Sequence, residues 1–349
     1  VKRNNKGKKK DTALLNGVLL LLQGGRWGED YLLRHNLPRL ERFFLRCFQY
    51  PVIVFHEGIS TGFQQGINAA IPSANHSSGV HFEDVSVFWK KLPHGVAESQ
   101  LKRWMTSSQQ RTFQGRGYRL MCRFWHGLVW SLPVLDNYEY YWRLDTDAYL
   151  TTPVKIDPFL LMARDRCEYG FNRLKGDAPG VVIDLWPTFE KWARLQEDQK
   201  KGEHHQQQEQ QQQQLGDNEH DYNRIGSNTS SSEEGDDDGT FVAKHLSSRG
   251  FKKVKEFSLD RNGAGEYLRR MYYNNFELGT MRLKRHPIYT SFFKFVDTQE
   301  PFGILRYRWG DAPLHTLGVV AVLWEEALLR GGDSAVPGPF TGDGVVPNT

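Results

Sequence analysis

One segment decides the fold: Tyr140-Tyr-Trp-Arg-Leu-Asp-Thr-Asp-Ala-Tyr-Leu150. Its aromatic and apolar beginning predicts a buried strand, and the strand is expected to end in two carboxylates, Asp145 and Asp147. Carboxylates at the mouth of a strand suit a hard divalent cation, and such a cation can hold the phosphates of a nucleotide. The run Asp236–Asp238 has the same spacing, but it lies in an acidic, Ser/Gly-rich stretch. Its position therefore favours a solvated loop.

Two earlier segments predict an α/β sheet around this strand. The apolar runs Gly17–Leu22 and Pro51–Phe55 have the composition of strands that are covered on both faces. Between them, Asn36 is expected to cap a helix that has Pro38 in its first turn. A strand, a helix and a strand in this order indicate a parallel arrangement, in which ligands lie beyond the carboxyl ends of the strands.

The pattern continues toward the Asp-x-Asp segment. Val85–Trp89 is expected to form a third strand. Tyr118–Trp130 has apolar residues at helical spacing, so it predicts a helix that Pro133 ends. The sequence therefore predicts a single α/β sheet flanked by helices.

Composition divides the 349-residue chain into one domain with an insertion. Residues 199–240 contain a run of eight Gln and one Glu, followed by an acidic cluster, and are predicted to be disordered because they cannot bury enough apolar surface. Residues 17–198 and 241–330 are expected to form one catalytic domain, because the second part lacks a full core of its own. Residues 1–16 are expected to be a basic disordered stem, and residues 331–349 a Gly/Pro-rich tail.

The charge of the chain argues against nucleic acid as its partner. The net charge is only +4, and much of the excess lies in the first ten residues. That basic arm has no interleaved aromatic side chains, whereas binding of single-stranded nucleic acid combines cations with exposed stacking rings.

Several features are compatible with a secretory location. Two glycosylation sequons begin at Asn75 and Asn228. The three cysteines, Cys47, Cys122 and Cys167, are too few for a disulfide scaffold and wrongly spaced for zinc. No apolar run approaches the roughly 20 residues of a membrane span. The chain begins at Val1, so an upstream signal anchor is compatible with this sequence.

Four segments in the same order resemble the fungal α-1,2-mannosyltransferases of the secretory pathway, glycosyltransferase family 15. They are Tyr118–Phe124, Tyr140–Leu150, Asn274–Gly279 and Arg308–Thr316. The resemblance covers roughly residues 118–320 without the Gln-rich insertion, and more loosely the first α/β unit. It implies a GT-A-like fold with a mixed central sheet flanked by helices. It also implies a GDP-mannose donor, Mn²⁺ and transfer that retains the anomeric configuration, with an α-1,2 linkage to a mannose-containing glycan or glycoprotein. The implied location is the Golgi or endoplasmic reticulum lumen, as a type II membrane protein.

The resemblance also implies roles for individual residues. Asp145 takes the place of the family's metal-binding Glu in Glu-Pro-Asp, and Asp147 takes the place of its Asp. Glu277 falls on the carboxylate proposed as nucleophile or as stabiliser of the oxocarbenium-like transition state. A short turn is expected to point Glu277 into the cleft. Tyr118 matches a tyrosine of the sugar site.

The remaining motif residues are expected near the substrates. Asp311 would bind acceptor or donor hydroxyls and is the second candidate for a catalytic carboxylate. Arg123 and Arg143 are assigned to substrate binding. His315 is either a further substrate contact or a packed, hydrogen-bonded histidine.

The chain departs from the family in one respect that keeps alternatives open. The family has a metal-binding His in a Gly-Tyr-x-His-Pro-Pro-like stretch, and no His follows His315 in this sequence. One alternative is the same fold with a different nucleotide-sugar donor. Another is a catalytically weakened homologue that binds glycans.

Overall fold

The computed structural model describes residues 16–23, 29–74, 80–106, 115–219, 243–260, 265–331 and 347–348. The expected basic stem lies outside these residues except for Asn16, as do both sequons and residues 220–240 of the insertion. The strands are β1 (Gly17–Gln23), β2 (Val52–His56), β3 (Val80–Asp84), β4 (Tyr140–Leu144), β5 (Tyr149–Leu150), β6 (Tyr169–Gly176), β7 (Arg270–Thr280) and β8 (Pro347–Asn348).

Helices flank these strands. The α-helices are α1 (Glu29–Tyr31), α2 (Leu37–Leu40), α3 (Arg46–Phe48), α4 (Thr61–Ala70), α5 (Ser86–Lys90), α6 (Glu98–Thr106), α7 (Arg116–His126), α8 (Pro158–Asp165), α9 (Leu185–Glu219), α10 (Ser248–Ser258), α11 (Met281–Lys284), α12 (Pro287–Thr298), α13 (Gly303–Arg306) and α14 (Asp311–Leu329). Two π-helical turns, Leu32–Asn36 and Glu41–Leu45, join the first three helices into one continuous stretch. Short 3₁₀ turns occupy Leu128–Ser131, Pro133–Leu135 and Pro179–Val181.

Six strands form one mixed sheet in the order β3-β2-β1-β4-β7-β6. The first four of these strands are parallel, and β7 runs antiparallel to both β4 and β6. Strand β7 follows the insertion in sequence, so segments from before and after the insertion form the same sheet. A separate antiparallel pair joins β5 to β8.

The sheet is buried on both faces, which explains the continuous apolar runs. Leu19 and Leu21 of β1 face a core built with the first helical stretch, α4 and α8. Val18 and Leu20 face a second core built with α7, α12 and α14. Because alternate side chains of a strand point to opposite faces, a strand covered on both faces must be apolar throughout.

Three local predictions were wrong. The third strand is β3. Val85–Trp89 is mostly helix α5, which begins directly after the buried Val85 and contains the buried Trp89. Edge strand β3 is half-exposed, so it lacks the apolar run that marks a central strand. Asn36 has helical dihedrals and caps nothing, because helical structure already begins at Glu29.

The third wrong prediction concerns the start of the Gln-rich insertion. Helix α9 continues through it to Glu219. Gln, Glu and Lys are good helix formers, so low hydrophobicity did not prevent a helix that grows out of a packed one. From residue 199 to 210, the described side chains of α9 are exposed.

Helix α14 is the described helix that is long and apolar enough to cross a membrane by length and composition. However, 78% of its apolar window is buried inside the protein. It packs against β7, α10 and α12. This is the environment of a core helix.

Candidate active site

The Asp-x-Asp turn follows β4 directly and is fastened to both of its neighbours. The backbone N–H of Asp145 donates to the carbonyl of Asn275 on β7 at 3.1 Å. From the other side, the buried Asn36 amide donates to the carbonyls of Asp145 and Thr146 at 3.3 and 3.4 Å, and to that of Ala148. Asn36 therefore holds the turn in place.

The two carboxylates of this turn differ in exposure. Asp145 is 34% exposed and its Oδ1 accepts from Arg143 at 3.1 Å, whereas Asp147 is exposed. Withdrawal from water raises the pKa of Asp145 to about 6; Arg143 opposes this rise, and the carboxylates of Asp311 and Asp147 add to it. The turn thus concentrates negative charge that a cation would relieve.

Arg143 lies beneath Asp145 and is only 2% exposed. Its guanidinium bonds Asp145 and Asp311, stacks 4.4 Å from the ring centroid of Trp125, and comes within 3.8 Å of Glu277. The prediction that Arg143 binds substrate is not supported, because its donors face these carboxylates inside the protein. Arg143 is instead the shared counter-ion of three acids.

Glu277 lies within strand β7, opposite Arg143 in the register, and is 0% exposed. The expected turn into the cleft was wrong, because β7 continues past Glu277 to Thr280. Its Oε1 accepts from the Tyr141 hydroxyl at 2.6 Å and from Lys284 at 2.9 Å. Burial raises its pKa, but Lys284, His315 and Arg143 outweigh burial and hold the pKa well below its ordinary value. Glu277 is therefore a buried anion.

Asp311 begins helix α14 and closes this group of charges. Its carboxylate accepts from Arg143 and from the Asn274 amide, the latter at 2.8 Å. Burial raises the pKa of Asp311, but Arg143 and then His315 lower it below its ordinary value. Asp311 is 5% exposed, at the inner end of the group.

Tyr118 lies at the margin of the same group. It is half-buried on α7, and the guanidinium of Arg308 lies 4.8 Å from its ring centroid. Cys122, burial and Asp311 raise the pKa of its hydroxyl, while Arg308 opposes the rise. Tyr118 is thus within electrostatic reach of Asp311.

Comparison with known proteins identifies the family to which the chain belongs. The model of the family described as glycolipid 2-alpha-mannosyltransferase matches residues 3–328. The chain belongs to this family. The resemblance to the fungal mannosyltransferases is therefore confirmed.

Two Saccharomyces cerevisiae relatives illustrate the family. The chain is 25% identical over 335 residues to the probable mannosyltransferase KTR7, covering 87% of this chain and 62% of the relative. It is 22% identical over 303 residues to the alpha-1,2 mannosyltransferase KTR1, covering 87% of this chain and 64% of the relative. The chain thus spans about three-fifths of the length of these mannosyltransferases.

Solved structures of the family confirm the predicted fold. Core-mannan synthase A from Aspergillus fumigatus in a Mn/GDP form matches with a TM-score of 0.65 at 22% identity, over 89% of this chain and 71% of that one. The mannosyltransferase Ktr4p from S. cerevisiae matches with a TM-score of 0.63 at 19% identity, over 88% of this chain and 66% of that one. The GT-A-like fold with a mixed sheet is thus the fold of this family member.

Residues from all four family motifs meet in space, but Arg123 of the first motif does not join them. Tyr118, Asp145, Glu277 and Asp311 come from four segments and surround Arg143 or its partners. Arg123 does not join them: its guanidinium makes two bonds to Asp297, at 2.6 and 2.9 Å, and a third to the carbonyl of Lys91 at 3.0 Å. In this family member Arg123 ties α7 to α12.

His315 occupies the interior, as the packed alternative predicted. Its Nδ1 lies 3.1 Å from Glu277 and its Nε2 lies 3.0 Å from the carbonyl of Trp125. Burial is the largest cause of a lowered pKa for His315. The ring has no exposed surface.

Sequence reasoning missed two residues that complete the site, Asn36 and Lys284. Asn36 is 109 positions from Asp145 and was assigned to a cap. Lys284 lies in a basic stretch that is typical of an exposed surface. Its only sequence signal is its position seven residues after Glu277, which by itself indicates no contact.

The residues present fit a divalent cation only in part. Among the described residues, no group of three or more His, Cys, Asp and Glu side chains converges on a metal position. Asp145 and Asp147 supply hard oxygen ligands at crowded negative charge, which suits Mn²⁺ or Mg²⁺. The other ligands would come from diphosphate oxygens and water.

Proposed function

We propose that this chain is the catalytic domain of a metal-dependent retaining mannosyltransferase. It would transfer mannose from GDP-mannose to a mannose-containing glycan or glycoprotein, with an α-1,2 linkage. The observation that carries the proposal is the position of Asp145: it projects from the end of a central strand, next to Asp147, in a chain of this family. The Mn/GDP form of the Aspergillus relative supports the choice of metal and nucleotide.

We propose that Asp145 and Asp147 would hold Mn²⁺, which when bound would supply positive charge to offset that of the departing diphosphate. Arg143 fixes the Asp145 carboxylate through Oδ1 at 3.1 Å. Asn36 and the Asn275 carbonyl fix the backbone of the turn. Asp145 is therefore oriented before any donor binds, as electrostatic catalysis requires.

The geometry of Glu277 supports the same-face alternative for retention. An attacking carboxylate must reach the anomeric carbon, but Glu277 is fully buried and accepts from Tyr141, Lys284 and His315. In a same-face reaction, the acceptor oxygen bonds to the anomeric carbon as the bond to the phosphate oxygen breaks. The acceptor's proton passes to that phosphate oxygen. Glu277 would then contribute the charge balance beneath the site.

Tyr118 and Asp311 are proposed as the groups nearest the sugars. Tyr118 retains exposed surface, and its hydroxyl can donate to a sugar oxygen. Asp311 is committed to Arg143 and Asn274, so its contact with a hydroxyl would use its small exposed fraction. The Golgi or endoplasmic reticulum lumen remains the proposed location, supported by family membership.

A donor screen tests the function. Purified protein is incubated with mannobiose and each of several nucleotide sugars, with Mn²⁺ or with a chelator, and the linkage of the product is determined by NMR. We expect Mn²⁺-dependent transfer from GDP-mannose. Turnover with another donor alone would support the same fold with a different sugar. Glycan binding without any transfer would support the weakened homologue.

A chemical rescue tests the role of Glu277. If retention proceeds on the same face, Glu277→Ala with azide yields no β-mannosyl azide, since no nucleophile has been removed. Formation of β-mannosyl azide would identify Glu277 as the nucleophile. Glu277→Gln, which preserves shape, serves as the comparison for folding.

A further inference from the structure

Lys284 is a buried cation to which the proposed function gives no role. It is the last residue of the short helix α11, directly after strand β7, and is 0% exposed. Its ammonium donates to Glu277 Oε1 at 2.9 Å and to the Tyr289 hydroxyl at 3.2 Å. It lies 4.8–6.0 Å from four ring centroids, those of Tyr289, Trp130, Tyr169 and Tyr141.

Stability alone does not explain a lysine at this position. Moving an ammonium ion out of water is unfavourable, and replacing a buried ion pair by apolar groups of similar volume is often neutral or stabilising. A methionine would fill the same aromatic cage without a charge. The charge of Lys284 therefore points to a role in the network that it contacts.

A short chain of contacts links Lys284 to the Asp-x-Asp turn. Lys284 bonds Glu277, Glu277 lies 3.8 Å from Arg143, and Arg143 bonds Asp145 at 3.1 Å. The 3.8 Å distance between Glu277 and Arg143 is nearly 1 Å longer than a typical N–H···O hydrogen bond. Arg143 thus directs its hydrogen bonds to Asp145 and Asp311. Glu277 is left to Lys284 as its cation, with Tyr141 and His315 as further hydrogen-bond partners.

Removing the Lys284 ammonium changes how the buried cations and carboxylates are paired. Glu277 would remain buried beside the neutral Tyr141 hydroxyl and the His315 ring, whose pKa is lowered mainly by burial. Arg143 would then be its nearest permanent cation, at 3.8 Å. An uncompensated buried carboxylate draws such a partner strongly. Arg143 would then shift toward Glu277 and away from Asp145.

We propose that Lys284 is a positioning residue for the Asp-x-Asp metal site: by pairing with Glu277, it keeps Arg143 on Asp145. The inference rests on the proposed function, because it assumes that Asp145 and Asp147 hold the cation of the donor complex. Lys284 itself touches neither donor nor acceptor. It acts through Glu277 and Arg143.

The test compares three variants: Lys284→Met, Glu277→Gln and the double variant Lys284→Met/Glu277→Gln. The dissociation constant of Mn²⁺ is measured by electron paramagnetic resonance with saturating GDP, so that no turnover is required. Thermal melts check folding. The control is Lys191→Met. Lys191 is an exposed cation on α9, and its ammonium lies 6.0 Å from the ring centroid of Phe295.

We expect Lys284→Met to weaken Mn²⁺ binding about tenfold, the range for residues that orient a metal ligand. Lys191→Met should leave it unchanged. The double variant should recover to within about threefold of the parent, because the neutral amide that replaces the Glu277 carboxylate no longer draws Arg143. Recovery in the double variant is the readout that a purely structural role would not produce.

Other outcomes overturn the inference. Unchanged Mn²⁺ binding in Lys284→Met, with or without a fall in melting temperature, would reduce Lys284 to a packing residue. A double variant as weak as Lys284→Met would show that Glu277 does not transmit the effect. If Lys284→Met fails to fold, the double variant decides, and binding weakened tenfold there would again refute the inference. If the parent protein binds no Mn²⁺ with GDP, the metal part of the proposed function fails first.

Discussion

Replacing Asp145 with Asn is expected to stabilise the metal-free protein while removing most of its transfer activity. The two side chains have nearly the same shape, and the carbonyl oxygen of the introduced amide can still accept from Arg143 at the same 3.1 Å. The change therefore preserves shape and removes one negative charge beside Asp147 and Asp311. Stability and activity should move in opposite directions, as expected at a site that holds unfavourable charge for function.

The size of the stability effect follows from the pKa of Asp145. That pKa rises from 3.8 to about 6, so at neutral pH the ionised carboxylate opposes folding. A shift of this size corresponds to about 3 kcal/mol at full burial, at roughly 1.4 kcal/mol for each pKa unit. Because Asp145 is 34% exposed, solvent screening reduces the expected gain to about 1–2 kcal/mol.

The sign of the pH dependence is fixed by the same shift. A carboxyl with a raised folded-state pKa loses its stabilising contribution as the pH rises through the window from 3.8 to about 6. The advantage of Asp145→Asn should therefore be complete at pH 7 and should shrink as the pH falls to 4. Urea denaturation of both proteins at pH 7, 5.5 and 4 measures this difference in the free energy of unfolding.

The loss of activity should be large. Removing one electrostatic contact to a developing charge lowers turnover by about 10²–10³ in other enzymes. Mn²⁺ with GDP should raise the melting temperature of the parent protein and leave that of Asp145→Asn nearly unchanged, since ligands stabilise only the state that binds them. Normal Mn²⁺-dependent transfer by Asp145→Asn would refute the assignment. A fall in its stability at pH 7 would refute the electrostatic reasoning.

Three further predictions concern residues around this site. Asn36→Ala should cost about 1–3 kcal/mol in urea denaturation and lower turnover, because the buried carbonyls of the Asp-x-Asp turn lose their donor; unchanged stability and turnover would contradict this. Burial is the main cause that lowers the pKa of Lys284 from 10.5 to about 8, so the unfolded chain binds more protons in that window. The stability of the parent relative to Lys284→Met should therefore rise with pH from about 8 to 10.5, and a flat difference in denaturation would refute the shift. Replacing residues 199–240 with a Gly/Ser linker should leave the melting temperature nearly unchanged, since doubling a loop costs only about 0.6 kcal/mol; a large fall would show that the segment packs on the core.

The sequence by itself determined the central strands and the Asp-x-Asp position. A strand buried on both faces must be apolar along its whole length. The local composition of Gly17–Leu22 and Tyr140–Leu144 is therefore enough to predict that they are strands. The four family motifs identified Tyr118, Asp145, Glu277 and Asp311, which meet in space, but they did not identify Asn36 or Lys284. Edge strand β3 escaped detection because its side chains are half-exposed and follow no such rule.

Only the tertiary structure decided what the charged residues do. Arg143, Glu277, Lys284 and His315 are polar residues that composition places at a surface, yet all four are buried. Their burial is possible because each meets an opposite charge or a hydrogen-bond partner from another element, such as Tyr141, which is 136 positions from Glu277. Charge compensation depends on distances between segments remote in sequence, and no local pattern encodes those distances. For the same reason the sequence could identify Glu277 as important but could not distinguish a carboxylate that faces the cleft from one that supports it from within.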